Sequence, residues 1–372
     1  MPDRAVIIGG GLHGLSAALH LRRMGWDVTV LERRYSGRHS SGINAGGVRR
    51  LGRDVREIAL SQIACEMWHR IESLVGDDCG FRPTGQVKVA ESEADMAQLR
   101  ARAAEVRALG WTHEELVDQA ETRRLLPAVA PHVVGALVCR GDGAADPMRT
   151  VIAFRKAVRA AGATLIEGVA VQGIARIPGG LRVETDHGAF DGARVANCAG
   201  AWAVEIARGV GDAIACGVKA SMMMVTERLP RFVDPTVGAT ARPLSFKQTD
   251  AGTVVIGGGR QGRCDVAKEV SVVDFRNLAA GARTVTDLFP RLGDVRIVRT
   301  WSGIEAKTPD EVPVIGESPA CPGLIHSFGY SGHGFQLCPA AGAAVAELMA
   351  RGATNLPVAA FAPARLIARK AA

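Results

Sequence analysis

The sequence is poor in aromatic residues, and its basic residues form no concentrated run. Phenylalanine, tryptophan and tyrosine make up 5% of the chain, with only two tyrosines. The 45 lysines and arginines are scattered and are not interleaved with aromatic side chains, so the net charge of +7 does not indicate nucleic-acid binding. A positive charge of this size instead suits an anionic substrate or an acidic protein partner.

The eight cysteines form no C-x-x-C pair, and none stands with histidine at zinc or iron–sulfur spacing. Most stand in apolar contexts, as Cys139 and Cys198 do, where a reduced thiol behaves as a small core residue. We therefore expect a reducing compartment, no metal site and no iron–sulfur relay in this chain.

Long apolar runs are also missing. The apolar start is short, rich in glycine and without a cleavage site, so it resembles neither a signal peptide nor a membrane span. We expect no transmembrane segment and a cytoplasmic location. Internal repeats and low-complexity tails are absent from the sequence, and its 372 residues exceed one compact core of ordinary size, which predicts two domains.

The strongest signal lies between residues 5 and 32. An apolar run over 5–8 leads into Gly9-Gly10-Gly11-Leu12-His13-Gly14, a helix-period stretch follows, and a second apolar run ends at Glu32, 18 residues after Gly14. This is G-x-G-x-x-G between a strand and a helix, with an acid after the next strand, which is the fingerprint of dinucleotide binding. A plain tight turn is the alternative.

Each motif residue has a physical role in such a unit. Gly9 permits the tight turn, Gly11 lets the backbone approach a pyrophosphate, and Gly14 lets helix and strand pack closely. The helix N-terminus offers unpaired N–H groups to the phosphates, and Glu32 accepts hydrogen bonds from a ribose.

Periodicity predicts the remaining elements. A functional loop is expected over 34–53 and one long helix over 55–75, and further helices are expected over 93–109, 116–127, 149–161, 273–288 and up to about 350. Alternation predicts a three-stranded meander between 169 and 191, and strands over 219–226, 243–248 and 253–257. The methionine run over 222–224 is expected in the core rather than in a substrate wall.

Several segments resemble the flavin-dependent D-amino-acid, glycine and sarcosine oxidase superfamily over nearly the whole chain. N-C-A-G-A-W over 197–202 is similar to the family's N-A-A-G-A-W turn. W-S-G-I-E over 301–305 with T-P-D and P-V-I-G resembles its W-x-G…T-P-D-x-x-P-V-I-G block, and G-Y-S-G-H-G-F over 329–335 resembles its G-F-S-G-H-G-F loop. Val169 stands where the family places a valine whose backbone meets the adenine. The resemblance implies FAD rather than NAD.

Three positions depart from the family pattern. Gly303 stands where sarcosine-oxidase-like members carry a flavin-tethering cysteine, so we expect non-covalent FAD. Glu305 replaces the carboxylate-binding arginine of glycine-oxidase-like members, and Gln336 replaces the lysine of sarcosine-oxidase-like members. Glu305 and the segment 44–50 look more like the β subunits of multi-subunit bacterial dehydrogenases that act on opines, D-hydroxyproline or proline.

The resemblance implies an α/β (α+β two-domain) fold with a Rossmann-like FAD-binding domain and a β-sheet-based substrate domain, both discontinuous in sequence. The FAD-binding domain is expected over 1–80, 141–217 and 297–372, and the substrate domain over 81–140 and 218–296. The residues expected to bind FAD are Gly9, Gly11, Leu12, His13, Gly14, Glu32, Arg33, Ser40, Ser41, Ala45, Gly46, Gly47, Val169, Gly200, Trp202, Gly303, Ser331, Gly332, His333, Gly334, Phe335 and Gln336.

Amine oxidation by a flavin needs a held carboxylate and a neutral amine more than it needs acid–base machinery. Arg49 is the first candidate for the carboxylate anchor, with Arg50 second and Lys247 third, and the alternative for both arginines is a solvated surface position. His333 is expected to serve the flavin, with a catalytic role as the alternative. Glu305 is expected to bind the substrate's amine or a second polar group, with a helix cap or a surface position as the alternative.

The resemblance implies FAD-dependent oxidation of an amino acid or secondary amine of the D-hydroxyproline, proline or opine type. Electrons are expected to pass to an acceptor other than oxygen, through a partner subunit that carries further redox cofactors. The alternatives are a stand-alone oxidase that produces hydrogen peroxide, a flavin relay subunit without catalysis, and, more distantly, an NAD-dependent dehydrogenase.

Overall fold

The computed structural model of the protein describes residues 3–367, which form the expected α/β fold around two large sheets. Residues 1–2 and 368–372, at the ends of two predicted domain ranges, lie outside the described residues. The strands are β1 (Arg4–Ile8), β2 (Asp27–Glu32), β3 (Gly47–Val48), β4 (Gln86–Ala90), β5 (Glu115–Asp118), β6 (Gly135–Cys139), β7 (Gly143–Ala144), β8 (Thr164–Glu167), β9 (Val171–Ile177), β10 (Gly180–Thr185), β11 (Gly188–Gly192), β12 (Arg194–Asn197), β13 (Gly217–Arg228), β14 (Thr236–Ala239), β15 (Ser245–Gln248), β16 (Thr253–Gly257), β17 (Arg263–Asp265), β18 (Val270–Val272), β19 (Ile297–Lys307), β20 (Val314–Glu317) and β21 (Leu324–Phe328). The helices are α1 (Leu12–Arg23), α2 (Ser40–Ile43), α3 (Ile58–Trp68), α4 (Ile71–Val75), α5 (Glu93–Ala108), α6 (Gln119–Leu125), α7 (Pro147–Ala160), α8 (Ala203–Gly209), α9 (Phe275–Leu288) and α10 (Gly334–Arg351).

The first sheet has six strands in the order β20-β21-β12-β1-β2-β8, all parallel except β20. Side chains of β1 alternate between two cores: Ala5 and Ile7 belong to the core that α1 and α10 share, and Val6 and Ile8 pack with the meander β9-β10-β11. The chain leaves β1 for β2 on one side and returns as β12 on the other. Such a switch of strand order opens a crevice at the carboxyl end of β1.

The second sheet has eight strands in the order β19-β13-β16-β15-β14-β4-β6-β5. Its apolar face carries Val87, Val237, Phe246 and Ile256, which share a core with the side chains of α9. Because strand side chains alternate between faces, the intervening polar residues of β4 and β14 point to the opposite face, toward the first sheet. A polar wall thus lies across from the crevice at β1.

Two predicted helices have different bounds in the structure. The helix expected over 55–75 is broken into α3 and α4 at Arg70, whose backbone leaves the helical conformation at φ −122° and ψ 24°. On either side of the break, Trp68 Nε1 donates to the Gln336 carbonyl on α10 at 2.8 Å, and Ile71 and Leu74 pack in the core. The helix expected over 116–127 begins only at α6, where Asp118 caps the Glu121 N–H at 2.8 Å, and the preceding residues form β5.

The strand β19 lies at the edge of the second sheet, paired with β13 from Gly217↔Lys307 to Thr226↔Ile297. The expected FAD-binding range 297–372 includes this strand, so we propose that the domain boundary falls after Lys307 rather than before Ile297. Among residues 3–367, no helix is both long enough and apolar enough to cross a membrane.

Candidate active site

The G-x-G-x-x-G turn joins β1 to α1 at distances that only glycine permits. Gly9 adopts φ +106°, and a Cβ there would lie 2.4 Å from the Cys198 carbonyl oxygen at the end of β12. A Cβ on Gly14 would lie 1.9 Å from the Gly9 carbonyl oxygen. Both neighbours are backbone atoms, so strand, turn and helix can pack this closely only without side chains at these positions.

The first turn of α1 opens on the crevice. Gly11 provides no side-chain cap, and Ser41 Oγ on α2 accepts the Leu12 N–H at 3.1 Å. Gly11, Leu12 and His13 line the cavity described below. The remaining N–H groups of this turn and the positive end of the helix dipole can therefore hold a phosphate.

Glu32 places its carboxylate beside the same turn. Its Oε2 accepts the Gly10 N–H at 2.7 Å and its Oε1 accepts the Arg34 N–H at 2.8 Å. Burial raises the pKa of Glu32, and these two donors oppose that effect. Each carboxylate oxygen can accept a second hydrogen bond, so Glu32 can also receive ribose hydroxyls.

A segment between β16 of the second sheet and α9 reaches this end of the cavity. We call residues 263–272, which comprise β17, β18 and the turn between them, the strap. Its Glu269 carboxylate is buried and lies 2.9 Å from Arg33 Nε and 2.8 Å from Arg34 Nε. The hydrogen bond from Arg34 holds the pKa of Glu269 below its usual value. Arg33 and Arg34, which follow the strand that ends at Glu32, therefore both form ion pairs with Glu269 of the strap.

Trp202 makes a second contact with the strap. Its Nε1 donates to the Val266 carbonyl at 3.2 Å, and its ring lies 4.6 Å from the His39 ring and 5.8 Å from the Arg33 guanidinium carbon. Burial lowers the pKa of His39 to about 4, so that ring is neutral at pH 7. Trp202 thus packs the strap against the nucleotide side of the cavity.

The helix α10 also begins at the cavity, after Ser331 at φ +52° and Gly332 at φ +93°. A Cβ on Gly334 would lie 2.8 Å from His13 Nε2 and 2.9 Å from Tyr330 Cβ. The rings of His13 and Tyr330 stack at 3.6 Å, and burial lowers the pKa of His13 to about 3. The helices α1 and α10 therefore present their N-termini to one space.

His333 stands immediately before α10, beside a buried acid. Its Nδ1 lies 3.0 Å from Glu57 Oε2, and Glu57 is fully buried. Burial and the nearby Arg53 guanidinium lower the pKa of His333 to about 4, although Glu57 acts in the opposite direction. His333 is therefore neutral at pH 7 and lies beside Glu57.

Arg49 and Arg50 have opposite surroundings. Arg50 Nε pairs with Asp142 Oδ1 at 3.0 Å and its Nη1 donates to Gln62 Oε1 at 3.0 Å, away from the cavity wall. Arg49 lines the cavity, and within residues 3–367 its guanidinium makes one hydrogen bond, to the Leu51 carbonyl at 3.3 Å. Burial lowers the pKa of Arg49. Arg49 has N–H groups available for a ligand, and Arg50 is engaged by the protein.

Glu305 on β19 is paired with the neighbouring strand. It lies 2.9 Å from Lys219 Nζ and accepts the Ser221 hydroxyl at 2.8 Å, and Lys219 also donates to the Ser331 carbonyl at 3.0 Å. The three side chains line the cavity beside the turn before α10. The carboxylate of Glu305 is thus already paired with Lys219 and Ser221. A substrate amine could bind Glu305, as expected, only by sharing the carboxylate with these two groups.

Two predicted site residues turn away from the cavity. Lys247 donates to the Ala145 carbonyl at 2.7 Å and lies under the loop at Gly46, and burial lowers its pKa to about 8. The prediction that Lys247 is a third candidate for the carboxylate anchor is therefore corrected: its ammonium supports the loop at Gly46. Gln336 is fully buried, donates from Nε2 to the Ser61 carbonyl at 2.8 Å, and ties α10 to α3 instead of facing a cofactor.

These elements enclose one elongated cavity of about 1050 Å³. It runs from the glycine turn and Glu32, past α2 and the start of α10, to the polar face of the second sheet. Met222 and Met224 pack in the core as expected, but Met223 lines the cavity. The predicted residues that line it are Gly9, Gly11, Leu12, His13, Glu32, Arg33, Ser40, Ser41, Ala45, Gly46, Gly47, Arg49, Val169, Gly200, Trp202, Gly303, Glu305, Ser331, Gly332, His333, Gly334 and Phe335.

Several cavity residues belong to no motif, so the sequence alone does not identify them. Arg53, Gln86, Lys88 and Thr236 line the end of the cavity next to the second sheet. The alternation Gln86-Val87-Lys88-Val89 would have shown that one face of β4 is polar. Nothing in the sequence marks Arg53 or Thr236.

Comparisons with known proteins agree with this geometry. The model of the family DAO, described as FAD dependent oxidoreductase, matches residues 4–348. The chain is 27% identical over 365 residues to the sarcosine oxidase beta subunit of Rhizobium meliloti (strain 1021), covering 96% of this chain and 86% of that protein. It is 28% identical over 332 residues to one of the opine oxidase subunits of Rhizobium meliloti, covering 86% of each. The structure of L-proline dehydrogenase from P. horikoshii superposes with a TM-score of 0.90 at 27% identity, covering 98% of this chain and 97% of that one.

Proposed function

The chain belongs to the DAO family of FAD-dependent oxidoreductases and is an amino-acid or amine oxidoreductase, and we propose that its substrate is a secondary amino acid of the D-hydroxyproline, proline or opine type. The observation that carries this proposal is Arg49, a cavity arginine with N–H groups available at the sheet end. A charged carboxylate leaves water only for a partner of opposite charge, and a guanidinium offers two parallel N–H groups to it.

The cavity residues fit FAD. Two helix N-termini open on the space, and at Gly9, Gly11 and Gly334 a Cβ would come within 3.0 Å of neighbouring atoms, so the backbone itself forms the wall. We propose that the glycine turn, α2, Glu32 and Arg33 hold the phosphates and the adenosine, and that Gly46, Gly47, Gly303 and residues 331–335 hold the flavin ring. When bound, FAD supplies the acceptor for the hydride of the substrate's Cα–H.

The chain's own groups then have separate tasks. We propose that Arg49 fixes the substrate carboxylate and thereby aims the Cα–H, which is the main requirement of the reaction. His333 is neutral at pH 7 because of its lowered pKa, so it adds no positive charge near the substrate's amine. Lys219 carries its charge beside the start of α10, where Glu305 partly offsets it.

We propose further that electrons leave for a partner subunit rather than for oxygen. Two relatives are named as parts of larger enzymes, the sarcosine oxidase beta subunit and the opine oxidase subunit. Exposed apolar side chains follow one another on the edge strand β19, where Ile297 is 42% and Val298 61% exposed, and the exposed Arg296 and Arg299 flank them. Such a patch with a basic rim suits an acidic partner protein.

An anaerobic reduction screen tests the substrate proposal. Purified protein is mixed with D- and L-proline, hydroxyprolines, sarcosine, glycine, octopine and nopaline, and the flavin absorbance is followed. Bleaching by a secondary amino acid supports the proposal, and no bleaching by any compound favours a flavin relay subunit.

Stopped-flow reoxidation tests the acceptor. Slow reaction with air and fast reaction with an artificial dye are expected. Reoxidation by air as fast as turnover, with stoichiometric peroxide, would instead establish a stand-alone oxidase.

A further inference from the structure

The sheet end of the cavity has more positive charge than one carboxylate can balance. Arg49, Arg53 and Lys88 all line it, and within residues 3–367 none has a carboxylate oxygen within 4.0 Å of its nitrogen atoms. The three lie close together: Arg53 Nε donates to the Arg49 carbonyl at 3.0 Å, and the charge of Arg49 helps to lower the pKa of Lys88, after burial.

The nearby acids are largely occupied elsewhere. Asp142 pairs with Arg50 at 3.0 Å and Glu114 pairs with Arg102 at 3.0 Å, so each is neutralised first by another arginine. Their charges still act on the cavity cations, Asp142 on Arg49 and Arg53 and Glu114 on Arg49 and Lys88, but from beyond 4.0 Å. Glu57 faces His333 and is the one remaining anion whose charge acts on Arg53. Three cations against Glu57, with a smaller contribution of Asp95 at Lys88, leave an excess of positive charge that a ligand can match.

Three buried polar atoms at the same end have no hydrogen-bond partner in the described part of the chain. They are Arg53 Nη1, Gln86 Oε1 and Thr236 Oγ1, on residues that are 2%, 6% and 4% exposed. Buried polar groups are paired in most proteins, and each exception calls for an explanation. All three residues line the cavity, and a bound carboxylate would accept hydrogen bonds from the two donors among these atoms, Arg53 Nη1 and the Thr236 hydroxyl.

The register of the second sheet groups these atoms. In the parallel pair β4–β14, Gln86 stands opposite Thr236 and Lys88 stands opposite Gly238. The residues between them, Val87 and Val237, belong to the core, so Gln86, Lys88 and Thr236 share the cavity face. Gly238 carries no side chain, which leaves room beside the ammonium of Lys88.

We propose that this face, formed by Arg53, Gln86, Lys88 and Thr236, is a subsite for a second carboxylate, and that the substrate is an N-carboxyalkyl amino acid. The inference deepens the proposed function: Arg49 holds the carboxylate next to the oxidised carbon, and the subsite holds the other. Lys88 and Arg53 supply the charge and Thr236 donates its hydroxyl, and Gln86 can contribute only through its amide N–H group, because its oxygen is an acceptor. A substrate with one carboxylate leaves this subsite unmatched.

Equilibrium binding of carboxylates that cannot be oxidised tests the subsite without turnover. Acetate and propionate are compared with malonate, succinate and glutarate on the FAD-loaded protein, by calorimetry and by perturbation of the flavin spectrum. The best dicarboxylate is expected to bind at least about tenfold more tightly than the monocarboxylates, because each charge-assisted contact is strong. Equal affinities would overturn the inference.

Substitutions of Lys88 test whether the preference for dicarboxylates arises at the proposed subsite. Lys88→Met is expected to weaken dicarboxylate binding at least about fivefold and to leave monocarboxylate binding within about twofold, and Lys88→Arg to restore most of the affinity. Lys156→Met, which removes an exposed charge on α7, is the matched control and is expected to change neither. A Lys88→Met protein that loses both ligands equally would show only a general charge effect and would contradict the subsite. If Lys88→Met does not fold, the selectivity of the unaltered protein still decides the question.

The two proposals fail in different ways. If monocarboxylates bind as well as dicarboxylates and proline bleaches the flavin, the second carboxylate is wrong and the proposed function stands. If neither class binds and no amino acid bleaches the flavin, both are wrong.

Discussion

Ile43 occupies the space that a side chain on Gly303 would need: a Cβ there would lie 1.3 Å from Ile43 Cδ1. The contact is reinforced nearby, since Trp301 Nε1 donates to the Ile43 carbonyl at 2.8 Å. With glycine at residue 303 the side chain of Ile43 fills the space between α2 and β19, so any larger residue there would require Ile43 to move. Residue 303 is also not the cysteine that could tether a flavin.

FAD should therefore be released when the protein is denatured by acid or heat. Gly303→Ala should lower the FAD content, because overpacking of this kind costs about 1–3 kcal/mol. The double variant Gly303→Ala with Ile43→Ala should recover part of the loss, since it clears the blocked space. Flavin absorbance before and after denaturation and filtration is the measurement, and flavin that stays on the chain would contradict the prediction.

Glu269 should govern how long FAD is retained. Glu269→Gln removes the charge that Arg33 and Arg34 hold against the strap, which leaves two unpaired cations beside the cavity. Flavin fluorescence should show faster FAD release in the variant, with a smaller dependence on salt than in the unaltered protein. Asp265→Asn, at an exposed position of the same strap, is the control. Equal release rates in the unaltered protein, Glu269→Gln and Asp265→Asn would show that the strap does not contribute to FAD retention.

Lys219 and Glu305 should shift the flavin reduction potential in opposite directions. Glu305→Gln leaves the ammonium of Lys219 uncompensated beside the turn before α10, which should stabilise the reduced flavin and raise the potential. Lys219→Met should lower it. Equilibration with reference dyes measures both, and shifts of the same sign would show that the pair is only structural.

Substitution of Arg49 should affect substrate binding, whereas substitution of Arg50 should affect the stability of the fold. Arg49→Ala should raise the substrate KM by about 10- to 100-fold, as expected for a charge-assisted contact of about 1.5–3 kcal/mol, and leave FAD content unchanged. Arg50→Ala breaks the pair with the buried Asp142, so it should chiefly lower the unfolding temperature. Steady-state kinetics and thermal melts distinguish these effects; an unchanged KM in Arg49→Ala would mean that the anchor is misassigned.

The protein should lose stability as the pH falls below about 6.5. Burial lowers the pKa of His20 to about 4. Between pH 6.5 and 4 this histidine is therefore protonated in the unfolded chain but not in the native state, and the free energy of unfolding falls as the pH falls. His13, His39 and His333 act in the same direction. His20→Asn should make the loss shallower by about 1–3 kcal/mol at pH 4, relative to pH 7, in denaturant titrations. The exposed His187→Asn is the control, and an unchanged slope in His20→Asn would disprove the burial argument.

The nucleotide end is predictable because its signal is local. Gly9, Gly14 and Glu32 stand within one βαβ unit, and the spacing alone dictates how they meet. Lys247 cannot be placed in the same way: its polar position on a strand is visible, but the loop that covers it comes from residues 46 and 145. The prediction for Gln336 is wrong for the same reason, since its partner Ser61 is far away in sequence.

The sheet end shows where sequence reasoning stops. The pairing of Gln86 with Thr236 joins strands separated by about 150 residues, and their common face becomes visible only when the register is known. Arg53 follows two other arginines in the same loop, and only the structure separates their roles, through the burial of Arg53 and the different partners of Arg49 and Arg50. Long-range pairing and burial, rather than residue type, decide which polar groups meet the ligand.

The strand order of the first sheet has a consequence for synthesis. The strand β1 is flanked by β2 and by β12, β21 comes later still, and the cavity is completed by residues as far along as Phe335. A ribosome making this chain therefore releases the glycine turn long before the helix that faces it exists. Contacts between distant segments form slowly, because long loops must close first. The growing chain must keep its N-terminal unit soluble without a ligand, and cofactor loading becomes one of the last events in its maturation.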